Sequence, residues 1–418
     1  MSARVTELPS GLRVATDSMP GVETVSLGVW VGVGTRDERP EVNGVAHLVE
    51  HMLFKGTPKR DAFQISRQIE DVGGHLNAYT TREHTAYYAK VLKEDSELAL
   101  DIVSDMVQHA VMDEAELAKE RTVVLQEIGQ AEDTPDDIIF DHFQAAAFQG
   151  QPVGRPVLGT PDIVGSLSRA DCLAYARGSY TGANMVVAAA GRIEHERVVE
   201  MAERMFSGLP KGGTNAHEQA VYTPGEYREE RDLEQLHLVL GFQSVGHHHE
   251  DNFATSVLST LLGGGMSSRL FQEVREKRGL VYSVYSFANP FRDGGIFAVY
   301  AGTGPDQAGE LVPVVCDEIA RTSHDVTEEE VARARAQLKA SLLMSLESTM
   351  SRCEQLGQQM LVHGRPMTTA EIIAKVDAVD LDAVRRCALR LRERPPVVAA
   401  LGPLADLESY DRIAARLA

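Results

Sequence analysis

The chain repeats itself once, and the repeat limits the folds open to it. Tyr88-Ala89, a helical stretch near Leu98 to Val107, and Glu116-Leu-Ala-Lys-Glu-Arg recur in order as Tyr300-Ala301, a stretch near Leu311 to Ile319, and Glu330-Val-Ala-Arg-Ala-Arg. Gly154-Arg155-Pro156 returns as Gly364-Arg365-Pro366, and the apolar run Val186 to Gly191 returns as Val397 to Gly402. The offsets of 212, 214, 210 and 211 residues preserve order with short insertions. A period this long lies far above the roughly 20–50 residues of solenoid repeats, so it implies two homologous domains rather than an array. The Gly, Pro and polar stretch Gly208-Leu-Pro-Lys-Gly-Gly-Thr-Asn-Ala-His-Glu-Gln reads as a linker. The expected organisation is an N-terminal domain over 1–212, a linker over 213–228 and a C-terminal domain over 229–418. Within each copy, β-rich runs (Val25 to Val33, His84 to Val91, Met185 to Ala190; Leu236 to Phe242, Val281 to Phe287, Gly295 to Tyr300) alternate irregularly with long amphipathic helices. The pattern predicts an α+β class: two homologous α/β-sandwich domains, each with helices on one face of a mixed sheet.

Charge and composition narrow the partners. The 418 residues carry 41 Lys plus Arg against 61 Asp plus Glu, a net charge of −20. Such a field repels nucleic-acid phosphate and anionic lipid and makes basic peptides candidate partners, while on charge alone general solubility is the favoured reading. No apolar run approaches the roughly 18 residues of a membrane-spanning helix, so no membrane insertion is expected. The four cysteines, Cys172, Cys316, Cys353 and Cys387, form no C-x-x-C pair, which indicates neither a disulfide framework nor a thiolate zinc site. The N-terminus shows no secretory or transit signal, which predicts a bacterial cytoplasmic protein, with a mature organellar matrix chain as the alternative.

The chemistry is concentrated at His47-Leu48-Val49-Glu50-His51. Val45, Leu48, Val49, Met52 and Leu53 form the stripe of a core-facing helix, and both histidines and Glu50 fall on the opposite face. Imidazoles at i and i+4 stand one turn apart and can share one tetrahedral Zn²⁺, with a carboxylate between them. The order H-x-x-E-H is the inverzincin signature. Hydrolytic zinc needs a third protein ligand and an open position. Glu120 and Glu127, seven residues apart on a second helix with Leu117, Val124 and Ile128 on its apolar side, nearly superimpose. One could ligate the metal while the other orients a histidine; spacing does not say which.

Several segments together resemble a known family. They are Asn43-Gly-Val-Ala-His-Leu-Val-Glu-His-Met-Leu-Phe-Lys-Gly-Thr57, Gly73-Gly-His-Leu-Asn-Ala-Tyr-Thr80, Glu127 at 76 residues beyond His51, Gly263-Gly-Gly-Met-Ser-Ser-Arg-Leu-Phe271 and Arg275-Glu-Lys-Arg-Gly-Leu-Val-Tyr282. The chain is similar to pitrilysin-type zinc metallopeptidases, in the branch of the mitochondrial processing peptidase β-subunit and its bacterial relatives. The resemblance implies one Zn²⁺ per chain held by His47, His51 and Glu127, Glu50 as general base and Glu120 as an outer partner. It implies a metallohydrolase fold of the processing-peptidase type, forming one half of a clamshell. A complete chamber of that family has four such domains, so a homodimer, or a heterodimer with an inactive homologous subunit, is implied.

In the second half Ser256, Ser259 and Thr260 fall opposite His47, Glu50 and His51, and Ala334 and Ser341 opposite Glu120 and Glu127, so that half cannot hold zinc in this way. The resemblance gives it Arg275 and Tyr282 as substrate contacts, near a carbonyl developing negative charge. It likewise makes Asn77 and Ala78 part of an edge strand to which an extended peptide adds. The resemblance further implies that Asp137 and Asp141, an i, i+4 pair, take an arginine of a presequence-like substrate. The expected activity is endopeptidase cleavage of extended or unfolded peptides. A non-catalytic partner subunit, or a peptidase dedicated to one cofactor-precursor peptide, is the alternative.

Overall fold

The computed structural model describes residues 3–213 and 217–418. Residues 214–216 of the expected linker region lie outside the described residues. Two compact units emerge, and neither is a contiguous half of the chain. The first gathers Met1–Gly129, Arg155–Glu218 and Leu343–Thr369, and the second Gln130–Gly154, Gln219–Leu342 and Ala370–Ala418. Relative to domains drawn at 1–212 and 229–418, each half lends one segment to the other.

The first unit is built on β1 (Arg4–Glu7), β2 (Arg13–Ser18), β3 (Thr24–Val31), β4 (His75–Thr80), β5 (Thr85–Leu92) and β6 (Met185–Gly191), ordered β1-β2-β6-β3-β5-β4. The second uses β7 (Gly225–Glu230), β8 (Leu236–Ser244), β9 (Val281–Pro290), β10 (Gly295–Thr303) and β11 (Val397–Gly402), ordered β7-β11-β8-β10-β9. Setting β2 against β7, β6 against β11, β3 against β8, β5 against β10 and β4 against β9 gives the same order, so the internal repeat is a repeat of fold. Both sheets are mixed: β2 runs parallel to β6 and β7 parallel to β11, while the other pairs are antiparallel.

Side-chain alternation shows why the strands read as continuous apolar runs. In β3, Val25, Leu27, Val29 and Val31 point into the main helix-covered core, while Trp30 faces the other way, with Val186, Ala188 and Ala190 of β6. That second face is not bare, as a one-sided sandwich would leave it. The helix Thr349–His363 covers it through Cys353, Leu356 and Met360. The second unit does the same with the helix Pro135–Ala147, whose Ile139, Phe143 and Ala147 pack on Val397, Ala399 and Leu401 of β11. Sheets buried on both faces need apolar residues at successive positions. Close approach fixes each covering helix: a Cβ on Gly357 would sit 2.4 Å from Trp30 Cδ2, and one on Gly241 of β8 would sit 2.0 Å from Phe143 Cε2. All four cysteines are buried and free, and among the described residues no helix is long and apolar enough to cross a membrane.

Candidate metal centre

The helix Val45–Leu53 carries the motif. Val45, Leu48, Val49, Met52 and Leu53 are buried in the first unit's core, so the apolar stripe fixes the helix's rotation and turns the histidines away from the sheet. The second helix, Glu114–Glu132, is anchored by Leu117, Val124 and Ile128. Between these helices His47, His51 and Glu127 each offer one ligand atom within 4.8 Å of the others. The Glu127 Oε2 atom lies 3.8 Å from His47 Nε2 and 3.6 Å from His51 Nε2.

These separations suit a metal ion. Ligand bonds of about 2.0–2.2 Å place donors at the corners of a tetrahedron about 3.3–3.6 Å apart. Two imidazole nitrogens and one carboxylate oxygen form a donor set suited to zinc. Burial, reinforced by the neighbouring His51, pushes the His47 imidazole down to about 4, so at neutral pH the ring is uncharged and its lone pair is free to bind.

The two glutamates left open by their spacing have different surroundings. Glu120 is 6% exposed, and its Oε2 lies 3.0 Å from His51 Nδ1, the ring nitrogen away from Glu127. Its other oxygen accepts from Lys55 Nζ at 2.8 Å. Glu127 therefore faces Nε2 of both histidines and Glu120 the far side of His51. Glu50 lies close enough to feel the charges of both His51 and Glu127, and burial raises its carboxyl above the ordinary carboxylate range. Thr80 Oγ1 at the end of β4 donates to Glu50 Oε2 at 2.5 Å, which favours the ionised form. Thr80 and Lys55 were not singled out by sequence reasoning. Both lie inside the matching segments, but a hydroxyl or an ammonium acquires meaning only once its neighbours are known.

The remaining candidates divide between the units. Asn77 and Ala78 lie on β4, the edge strand of the first sheet, and the Ala78 N–H donates to Asn77 Oδ1 at 2.8 Å. In the second unit a π-helical turn, Phe271–Glu276, carries Arg275, whose guanidinium lies over the rings of Phe271 at 4.8 Å and Tyr282 at 5.0 Å. Tyr282 is 76% exposed, so it is not a core tyrosine. Asp137 and Asp141 lie on the helix Pro135–Ala147, where partial burial and the charge of Asp141 raise the Asp137 carboxyl. Gly263 ends the helix Asn252–Gly263 against β9, where a Cβ would meet Ser286 N at 2.3 Å; it serves close packing there. Among the described residues no second group of three metal-capable side chains occurs. Ser256 and Thr260, set opposite the histidines in the sequence reading, have hydroxyls that turn back to carbonyls of their own helix, those of Asn252 and Ser256.

A family model described as insulinase, peptidase family M16, matches residues 13–161, and one described as the peptidase M16 inactive domain matches 166–338. A Streptomyces coelicolor protein named as an uncharacterized zinc protease is 40% identical over 98% of this chain and 91% of its own. A Mycobacterium tuberculosis protein of the same description is 41% identical over 96% and 94%. A probable mitochondrial-processing peptidase subunit beta of Arabidopsis thaliana is 38% identical over 99% and 81%. Among solved structures, a Pseudomonas fluorescens chain described as a peptidase M16 inactive domain superposes with a TM-score of 0.89 at 21% identity, covering 98% of this chain and 99% of that one. A chain of complex III from Candida albicans reaches the same TM-score at 23% identity, with 99% of each covered. With two family models matched in tandem and full-length relatives near 40% identity, the chain belongs to the insulinase, or M16, family of zinc peptidases.

Proposed function

We propose that the chain is a zinc-dependent endopeptidase acting on extended peptides, with His47, His51 and Glu127 holding one Zn²⁺. The observation that carries this reading is the meeting of those three donor atoms within 4.8 Å, with Glu50 in electrostatic reach of two of them. When bound, the ion supplies Lewis-acid polarisation of a peptide carbonyl and activation of water. Glu50 takes the proton from the attacking water and delivers it to the leaving amine. Thr80 aims the Glu50 carboxylate, and Glu120, itself held by Lys55, fixes the ring of His51. The free edge of β4 accepts the substrate as an added strand at Asn77 and Ala78. Arg275 and Tyr282 contact bound substrate. Asp137 and Asp141, an i, i+4 carboxylate pair on one helix, receive an arginine of the substrate through paired charge-assisted hydrogen bonds.

In this reading the protein works in the bacterial cytoplasm, as a homodimer or with an inactive homologous subunit. Purified protein incubated with a mixed peptide library and read by mass spectrometry tests it. Cleavage should vanish on chelation, return with Zn²⁺, and be absent in His47→Ala. Undiminished cleavage by metal-free protein would overturn it. A second reading, a non-catalytic subunit, has fold likeness to the complex III chain on its side and predicts no cleavage under any condition. A peptidase dedicated to one small precursor would cut almost nothing in the library.

A further inference from the structure

The helix Val45–Leu53 begins without a capping side chain of its own. Its N-cap residue is Gly44, at φ +97°, where a Cβ would lie 2.8 Å from Leu158 O and 3.0 Å from Gly159 Cα. The serine, threonine or aspartate that usually satisfies the first N–H groups of a helix has no room there. The acceptor comes instead from six residues upstream. Glu38 Oε1 accepts from Ala46 N at 2.7 Å, and Glu38 Oε2 accepts from Gly44 N at 2.9 Å and from Asn43 Nδ2 at 2.8 Å. Glu38 is 5% exposed, and its own carbonyl is gripped by Arg155 Nη1 at 2.8 Å. Asn43 Nδ2 also donates to Pro156 O at 3.2 Å, so the clamp is tied to a second stretch of backbone. A carboxylate at a helix N-terminus also suits the positive end of the helix dipole.

The two histidines depend on this clamp unequally. His51 Nδ1 has Glu120 to set its ring, whereas His47 Nδ1 is buried and meets no hydrogen-bond partner among the described residues. With no hydrogen-bond partner on Nδ1, and only the edge of the His51 ring packed against it at 4.6 Å between centroids, His47 takes its position chiefly from the backbone, and the residue before it, Ala46, is the one Glu38 holds. We propose that Glu38 is a positioning residue for the metal centre: its carboxylate locks the first turn of the motif helix and thereby sets His47 against His51 and Glu127. The inference rests on the zinc reading above and adds to it a residue outside the H-x-x-E-H motif and the paired glutamates.

The test is zinc affinity, measured by competition with a chromophoric chelator on apo protein and by the visible spectrum of the Co²⁺ form, for wild type, Glu38→Gln and Gly357→Ala. Gln keeps the size of the side chain but replaces one accepting oxygen with an NH₂ that meets an N–H. Gly357→Ala destabilises the same unit from the opposite face of its sheet, so it serves as the control for general loss of stability. Glu38→Gln should bind zinc about 10–100-fold more weakly, the range typical of lost outer partners, and should show an altered Co²⁺ spectrum. Gly357→Ala should lower the melting temperature while leaving affinity within about two-fold of wild type. Equal affinity and spectrum in Glu38→Gln would overturn the proposal, as would an equal loss of affinity in Gly357→Ala. If Glu38→Gln does not fold, Asn43→Ala, which removes one donor to the carboxylate, carries the test: several-fold weaker zinc supports the clamp and unchanged affinity overturns it. Absence of tight zinc binding in wild type would instead remove the zinc reading itself.

Discussion

Thr80 is the least conspicuous residue in the centre, and its proposed part is small and measurable. Its hydroxyl holds Glu50 Oε2 at 2.5 Å, so Thr80→Val leaves the carboxylate unaimed and without its donor. A hydrogen bond to a charged group is worth about 1.5–3 kcal/mol, so kcat should fall roughly ten-fold or more while zinc content stays at one per chain. Unchanged kcat would return Thr80 to a strand-end role. Glu120→Gln acts on the other side of the cluster: with His51 Nδ1 less firmly held, zinc affinity should drop about 10–100-fold by chelator competition. Equal affinity would detach Glu120 from the site. The histidines and Glu50 were legible from the sequence because helical periodicity puts them on one face. Glu120 and Glu127 were not separable that way, because seven residues bring a helix back to nearly the same angle. They differ in height by about 10 Å along the axis, and only the placement of the partner helix reveals which meets Nε2 and which meets Nδ1. Thr80, Lys55 and Glu38 required strand register and loop course, which no local pattern encodes.

At the scale of elements, the strand runs and the repeat were readable in the sequence, and the strand order repeats as the offsets implied. The exchange of helices was not. Pro135–Ala147 and Thr349–His363 are ordinary amphipathic helices, and nothing in their periodicity says which sheet they cover; a Gly- and Pro-rich linker then suggests contiguous halves. Packing decides it, through Trp30 against Gly357 and Phe143 against Gly241. At an exposed helical site, Gly→Ala would stabilise by roughly 0.5–1 kcal/mol. Gly357→Ala should do the reverse, destabilising by about 1–3 kcal/mol through overpacking against a buried indole, and Gly241→Ala should behave alike against Phe143. Denaturant titrations give the sign directly, and a stabilised Gly357→Ala would contradict the tight packing of the covering helix.

For the whole molecule, the net charge of −20 weighs against nucleic acid as a partner without naming a substrate. The arginine preference is the finer expectation. Peptides with Arg just before the cleaved bond should be cut faster than Lys or Ala counterparts, the advantage should shrink as salt rises, and Asp137→Asn/Asp141→Asn should abolish it. Equal kcat/KM for the three peptides would dismiss the pocket. Arg275 and Tyr282, stacked on each other in the second unit, should on this account lower kcat/KM when changed to Ala and Phe while zinc content stays fixed. The central claim is that this chain cleaves peptides with a zinc ion bound by three side chains and a base that is not among them. The most direct measurement pairs metal analysis with turnover in Glu50→Gln. The prediction is one zinc per chain, as in wild type, with turnover reduced by orders of magnitude. Loss of the zinc, or activity equal to wild type, would contradict it.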